Sequence, residues 1–176
     1  METGVDRQAE TYMEEPSRAE DAKDQCADWQ YMQELFQMRE VDVRVYSPLA
    51  LAYIGDAVYE LVVRTVVVAQ ANRPANDLHR STVKYVSANA QSRIVQALME
   101  HLTEEELAVY RRGKNSKPHT TAKNASVEAY LKATGFEAVI GYLYLVGRMD
   151  RVLELVEKGI RLAGCRDAVS TKQKPG

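Results

Sequence analysis

The stretch from Ser47 to Gln70, SPLALAYIGDAVYELVVRTVVVAQ, is the longest apolar run in the chain, and it is charged only at Asp56, Glu60 and Arg64. Ser47 can accept the hydrogen bond of an N-cap, and Pro48 fits the first helical position, where its missing N–H is not needed. Some 22 residues then follow with no breaker other than Gly55, a length of about 33 Å at ~1.5 Å per residue. Apolar residues occupy nearly every side, which predicts a central helix wrapped by others rather than a surface helix with one apolar stripe. The three charges recur every four residues and therefore form one line along the axis. Glu60 and Arg64 suit an i,i+4 pair, which leaves Asp56 unexplained. Gly55 beside it costs a helix about 1 kcal/mol relative to Ala, so a close approach is expected at this point.

Composition narrows the setting. With 176 residues, 45% hydrophobic and 27% charged, the chain reads as one globular domain large enough to bury a core. The acidic N-terminus lacks the apolar core of a signal peptide, and charges interrupt the apolar run, so no membrane span and a cytoplasmic location are expected. Cys26 and Cys165 lie near the two ends without metal-ligand spacing and read as reduced and incidental. The net charge of −2 conceals an asymmetry: residues 1–40 hold eleven acids against four bases, which makes them −7 and leaves the remainder at +5. A basic body points towards a polyanionic partner.

Residues 1–27 are polar, acidic and aperiodic, and are expected to form a disordered leader. From Asp28 to Arg39 the pattern turns amphipathic, with Trp29, Met32, Leu35, Phe36 and Met38 on a face expected to pack against the central helix. Beyond Asn72-Arg73-Pro74, a helix opening at Asn76 or Asp77 continues through Leu102 on an apolar set that includes Leu78, Val83, Val86, Ile94 and Leu98. Ser87-Ala88-Asn89-Ala90 is small and polar and permits a bend. His79, Arg80 and Lys84 form a polar side that is either simply solvated or able to meet a phosphate backbone.

Thr103-Glu104-Glu105-Glu106 has the form of a capping box and starts a short helix ending near Gly113. The run RRGKNSKPHTTAK, residues 111–123, contains five Lys/Arg and no acid. It reads either as an exposed basic loop or as a phosphate-contacting one, with Arg111, Arg112, Lys114, Asn115, Lys117 and Lys123 as the donors. Asn124 or Ser126 caps the next helix, which runs to Gly147 as its left-handed C-terminal residue. Glu137 falls on the side of Tyr130, Ala133, Ile140 and Tyr144 and is the only charge between Lys132 and Arg148. A carboxylate on such a face needs a cation, or it takes up a proton. Gly135 and Gly141 flank it and reduce bulk. A last helix spans Met149 to Ala163, and 165–176 reads as a flexible tail. No strand pattern, repeat, glycine-rich nucleotide loop or Ser/His/Asp arrangement is present.

Two apolar helices thus each present a carboxylate beside glycine, Asp56 and Glu137. If the helices pack together, the pair can share Mg2+, a hard cation suited to one or two carboxylates, waters and phosphate oxygens. Such an ion activates water and stabilises a phosphodiester transition state.

LALAYIGDAVYELVVR resembles the signature helix of ribonuclease III, built on a Leu-Gly-Asp-Ala-Val stretch, and ATGFEAVIGYLYL resembles that family's second catalytic helix. The intervening NDLHRSTVKYVSANAQ and RRGKNSK look like the helix and basic loop of its miniature form, Mini-ribonuclease III. The resemblance covers roughly residues 46–160. It implies an all-α, ribonuclease III-like endonuclease domain over 28–164, acting as a homodimer with Mg2+ as cofactor and Asp56 and Glu137 as metal-site carboxylates. It also implies hydrolysis of double-stranded RNA to 5′-phosphate and 3′-hydroxyl ends, and for the miniature form maturation of the large-subunit (23S) ribosomal RNA precursor. Two acids of the full-length family do not carry over: Ala52 and Thr134 stand in their places. A further double-stranded-RNA-binding domain of ~70 residues, as in the full-length family, is not expected, so the catalytic body, its basic loop and its dimer partner are expected to hold the substrate. The competing readings are a non-catalytic relative that binds ribosomal RNA and a plain helical interaction domain. Retention of both carboxylates speaks against the former, and the basic loop speaks against the latter.

Overall fold

The computed structural model describes residues 31–39, 42–116 and 126–165. The expected leader 1–27, Trp29, Lys117, Lys123 and the tail after Cys165 lie outside the described residues. The chain divides into two units, Met1–Arg39 and Glu40–Gly176. In the first, residues 31–35 are helical, and Tyr31, Leu35, Phe36 and Met38 are exposed.

The second unit contains six helices among the described residues and no strand: α1 (Pro48–Gln70), α2 (Ala75–Val86), α3 (Ala88–Leu98), α4 (Glu104–Lys114), α5 (Val127–Leu145) and α6 (Met149–Leu162). Single 3-10 turns at Val43–Val45 and Met99–His101 precede α1 and α4. The all-α expectation holds. Several ends form as their residues dictate. The Ser47 hydroxyl accepts the Ala50 N–H at 3.1 Å, with Pro48 in the first turn. Thr103 and Glu106 exchange both bonds of a capping box. Of the two candidate caps for α5, Ser126 is the one that accepts the Ala129 N–H. At the other end Gly147 adopts φ +76°, and the Arg148 N–H reaches the Leu143 carbonyl at 2.8 Å, closing α5 as a Schellman turn. The opening of α2 differs from expectation: Pro74, which fixes the extended approach to a helix, precedes Ala75, and neither Asn76 nor Asp77 caps. The chain does bend at Ser87 (φ −63°, ψ 147°), separating α2 from α3.

The helix at the centre is α5, not α1. α5 packs against α1, α3, α4 and α6 and buries eleven of its 19 residues. Glycines make these approaches possible. A methyl group on Gly55 or on Gly141 would collide with backbone of the facing helix, so α1 and α5 cross in direct backbone contact. On another side of α5, a Cβ at Gly113 would lie 2.9 Å from the Gly135 Cα, and one at Gly135 would lie 2.8 Å from the Tyr110 ring. Gly135 therefore admits α4, while Gly141 admits α1. Tyr59 of α1 meets Phe136 edge-on at 5.4 Å and donates its hydroxyl proton to the Tyr85 carbonyl, tying α1, α2 and α5 together.

Among the described residues α1 is covered on one side only. Leu51, Ala52, Gly55, Val58, Tyr59, Val62, Val63 and Val67 are buried, whereas Tyr53 (84% exposed), Leu61 (64%) and Val68 (56%) are exposed on the other side, alongside Arg64. An apolar helix read from sequence indicates that all faces tolerate burial, but not which of them the neighbouring helices cover. None of the described helices is long and apolar enough to cross a membrane.

α6 is locked to α4 by a buried bidentate pair. Arg151 Nε and Nη2 donate to Glu106 at 2.9 and 3.0 Å, Nη2 also reaches the His101 carbonyl, and Nη1 pairs with Glu154. Hydrogen bonds from Arg151 and from the cap hold the Glu106 carboxyl below its ordinary value against the opposing effect of burial.

Candidate active site

The α1–α5 crossing positions the two candidate carboxylates. Gly55 lies against the Glu137 backbone, so Asp56, the next residue on α1, and Glu137 of α5 flank one point of contact. Asp56 reaches solvent. Partial burial of its carboxyl, reinforced by the neighbouring Glu60 charge, raises its proton affinity. Glu137 is half-buried, and its carboxyl is pushed up to about 7, first by burial and then by the negative charge of Asp56, with a hydrogen bond from Gln91 acting the other way. No ion pair to Glu137 exists among the described residues. Its hydrogen-bond partner there is an amide: Gln91 Nε2 donates to Glu137 Oε1 at 3.0 Å. One turn along, Lys132 bonds Gln96 and Glu128, so α3 and α5 are joined by two polar links.

Among the described residues no cluster of three or more His, Cys, Asp or Glu side chains is arranged to hold a metal. Two carboxylates, one of them reaching solvent, suit Mg2+, which binds through one or two carboxylates and keeps several waters. The repulsion that raises the Glu137 carboxyl is what a shared divalent cation would relieve, so the pair fits such an ion. Ala52 and Thr134 are both buried, and the Thr134 hydroxyl is turned back onto the Tyr130 carbonyl of its own helix. Neither position supplies a carboxylate.

The cationic residues lie on two described segments. His79, Arg80 and Lys84 are exposed on α2, with Arg80 paired to Asp77. Arg111, Arg112 and Asn115 are exposed at the end of α4, and Lys114 is half-buried. Arg112 Nη1 donates to the Arg44 carbonyl at 3.1 Å, which anchors the last turn of α4 to the first 3-10 turn. Arg111, Arg112 and Lys114 also complement the negative end of the α4 dipole, as Glu104, Glu105 and Glu106 complement its start.

Sequence reasoning missed Gln91 and Arg151. Gln91 was open to discovery, since it lies three residues before Ile94 and four before Val95, on the inward face of α3.

The body is all-helical, and the model of the Ribonuclease III domain family matches residues 49–148, a span that contains both Asp56 and Glu137. Mini-ribonuclease 3 of Thermoanaerobacter sp. (strain X514) is 52% identical over 116 residues, covering 66% of this chain and 82% of that protein. Mini-ribonuclease 3 of Clostridium tetani is 46% identical over 122 residues, 69% of this chain and 81% of that protein. A crystal structure of a protein from Fusobacterium nucleatum superposes with a TM-score of 0.63 at 32% identity, over 69% of this chain and 98% of that one. The chain belongs to the Mini-ribonuclease 3 family, and so to the endoribonucleases of the ribonuclease III type.

Proposed function

We propose that this endoribonuclease cuts double-stranded RNA with Mg2+ held by Asp56 and Glu137, working in the cytoplasm as a homodimer on the large-subunit ribosomal RNA precursor. The observation that carries the proposal is the Asp56–Glu137 pair at the Gly55/Gly141 crossing: two repelling carboxylates, one solvent-facing, with no protein cation between them among the described residues. Bound there, Mg2+ would acidify an attacking water and stabilise the charge that develops on the phosphate. Asp56 supplies the solvent-facing carboxylate, next to where substrate must arrive. Glu137 supplies the second, fixed from behind by α3. Attack of water at phosphorus with cleavage of the bond to the 3′ oxygen leaves 5′-phosphate and 3′-hydroxyl ends.

His79, Arg80, Lys84, Arg111, Arg112, Lys114, Asn115, Lys117 and Lys123 are the residues proposed to contact the RNA backbone, through which most of the affinity for a duplex arises. Arg111 and Asn115 project freely enough for this, while Arg112 keeps donors beyond the one it spends on Arg44. The exposed Tyr53, Leu61 and Val68 of α1 support the homodimer, because large apolar side chains left exposed on one helix favour cover by a second surface.

Incubating the protein with a structured ribosomal RNA precursor tests this reading. Cleavage with Mg2+ and none with chelator is expected, with 5′-phosphate on the new ends. Cleavage undiminished in chelator contradicts it.

A further inference from the structure

Gln91 occupies a position where an aliphatic residue would pack more cheaply. It is 2% exposed on the inward face of α3, between Ala90 and the buried Ile94, Val95 and Leu98. Burying a primary amide is unfavourable unless its polar atoms are all paired, and here they are not. Nε2 donates to the Val86 carbonyl at 3.1 Å and to Glu137 Oε1 at 3.0 Å, while the buried Oε1 of Gln91 has no partner. Two acceptors on the nitrogen side fix which way the amide faces, since the opposite orientation would set its oxygen against both. The bend at Ser87 contributes one of them: the α3 ladder starts with the Gln91 N–H on the Ser87 carbonyl, and Val86 lies one residue before it. Glu137 Oε2 accepts no hydrogen bond from the described residues.

We propose that Gln91 is a positioning residue for the cation site, taking Oε1 of Glu137 so that Oε2 is the oxygen offered, beside Asp56, to Mg2+. The proposal rests on the reading of Asp56 and Glu137 as cation ligands. Its support is the asymmetry of the amide: the side that faces Glu137 is fully used and the other side is left unsatisfied, which is the pattern of a residue kept for its N–H groups rather than for packing. Partners that orient a metal ligand commonly matter by about 10–100-fold in metal affinity.

The test uses the full chain with two substitutions. Gln91→Met keeps the length and removes both donors, and Gln91→Asn keeps an amide but is one methylene too short to hold both acceptors. Melting is followed in a Mg2+ titration without RNA, and cleavage kinetics are measured over the same Mg2+ range. The expected result, in whichever variants fold, is a half-point for Mg2+ stabilisation about tenfold higher than in the parent. The turnover number should be reduced at low Mg2+ and recover at high Mg2+, and KM for RNA should not change. Parent-like Mg2+ half-points in a folded variant, even one that melts lower in chelator, would overturn the proposal and leave Gln91 as a packing residue. A parent that neither gains stability from Mg2+ nor needs it for cleavage would instead defeat the cation reading itself, and that failure is visible without any variant.

Discussion

Gly55 and Gly141 meet across the α1–α5 crossing: a methyl group on Gly55 would lie 2.7 Å from the Gly141 nitrogen, and one on Gly141 would lie 3.0 Å from the Gly55 nitrogen. The obstacle on both sides is main chain, which cannot rotate away as a side chain could. Gly55→Ala is therefore expected to cost at least the 1–3 kcal/mol typical of overpacking, about that much in urea denaturation. It should also abolish cleavage in whatever fraction folds, because moving the helices apart separates Asp56 from Glu137. Gly147→Ala is the contrast. Its φ of +76° makes it strained but nothing lies within 4 Å, so a loss of about 1–2 kcal/mol with full activity is expected. Parent-like stability and cleavage in Gly55→Ala would show that the crossing does not set the site.

Neutralising Arg111, Arg112, Lys114 and Lys117 together should weaken RNA binding and flatten its dependence on salt, since each lost phosphate contact reduces counterion release by about 0.7–0.9 in the logarithmic slope. Turnover at saturating RNA should fall less than affinity. Binding measured across a salt series decides it, and an unchanged slope would show these charges to be solvated only. Arg112 carries an added consequence, because its bond to the Arg44 carbonyl is lost as well and a small fall in melting temperature should accompany the change.

The helices were legible because their ends are written locally. Ser47-Pro48, Thr103 with Glu106, and Gly147 each act within one turn, and so they form as their sequence indicates. The Glu60–Arg64 pair is local in the same way, at 3.1 Å. What depends on a distant partner was less visible. Gly135 and Gly141 look alike in sequence, yet one admits α4 and the other α1. α1 reads as the wrapped helix because its composition is apolar all round, but α5 takes the centre and leaves Tyr53, Leu61 and Val68 outward. The two carboxylates stand out because charge in an apolar helix is conspicuous. Gln91 escaped because a neutral amide is not, although its register with Ile94 and Val95 places it inside.

The pH dependence of stability follows from Glu137. In chelator the folded protein holds this proton up to about pH 7, whereas the unfolded side chain releases it near its ordinary value of 4.5. Between those values the folded state binds more protons, so this contribution is full below 4.5, declines as pH rises towards 7, and is lost above it; its size is up to about 3 kcal/mol. Urea midpoints of parent and Glu137→Gln, taken in chelator from acid to neutral pH, should converge at low pH and separate as pH rises, with the variant the more stable near neutrality. Added Mg2+ should flatten the parent's decline, because it favours the ionised carboxylates. Parallel curves for the two proteins would show that Glu137 does not carry a raised affinity for protons.

The most direct measurement of whether Asp56 and Glu137 hold a divalent cation is a set of thermal melts of the parent, Asp56→Asn and Glu137→Gln, each with Mg2+ and with chelator. Mg2+ should raise the parent's melting temperature through preferential binding to the folded state. Each variant should lose that rise and lose RNA cleavage, while keeping its helix content and melting in chelator at or above the parent, because removing one charge relieves the repulsion between the two. Variants that melt well below the parent in chelator yet still gain stability from Mg2+ and still cleave RNA would contradict it, and would make the two carboxylates structural.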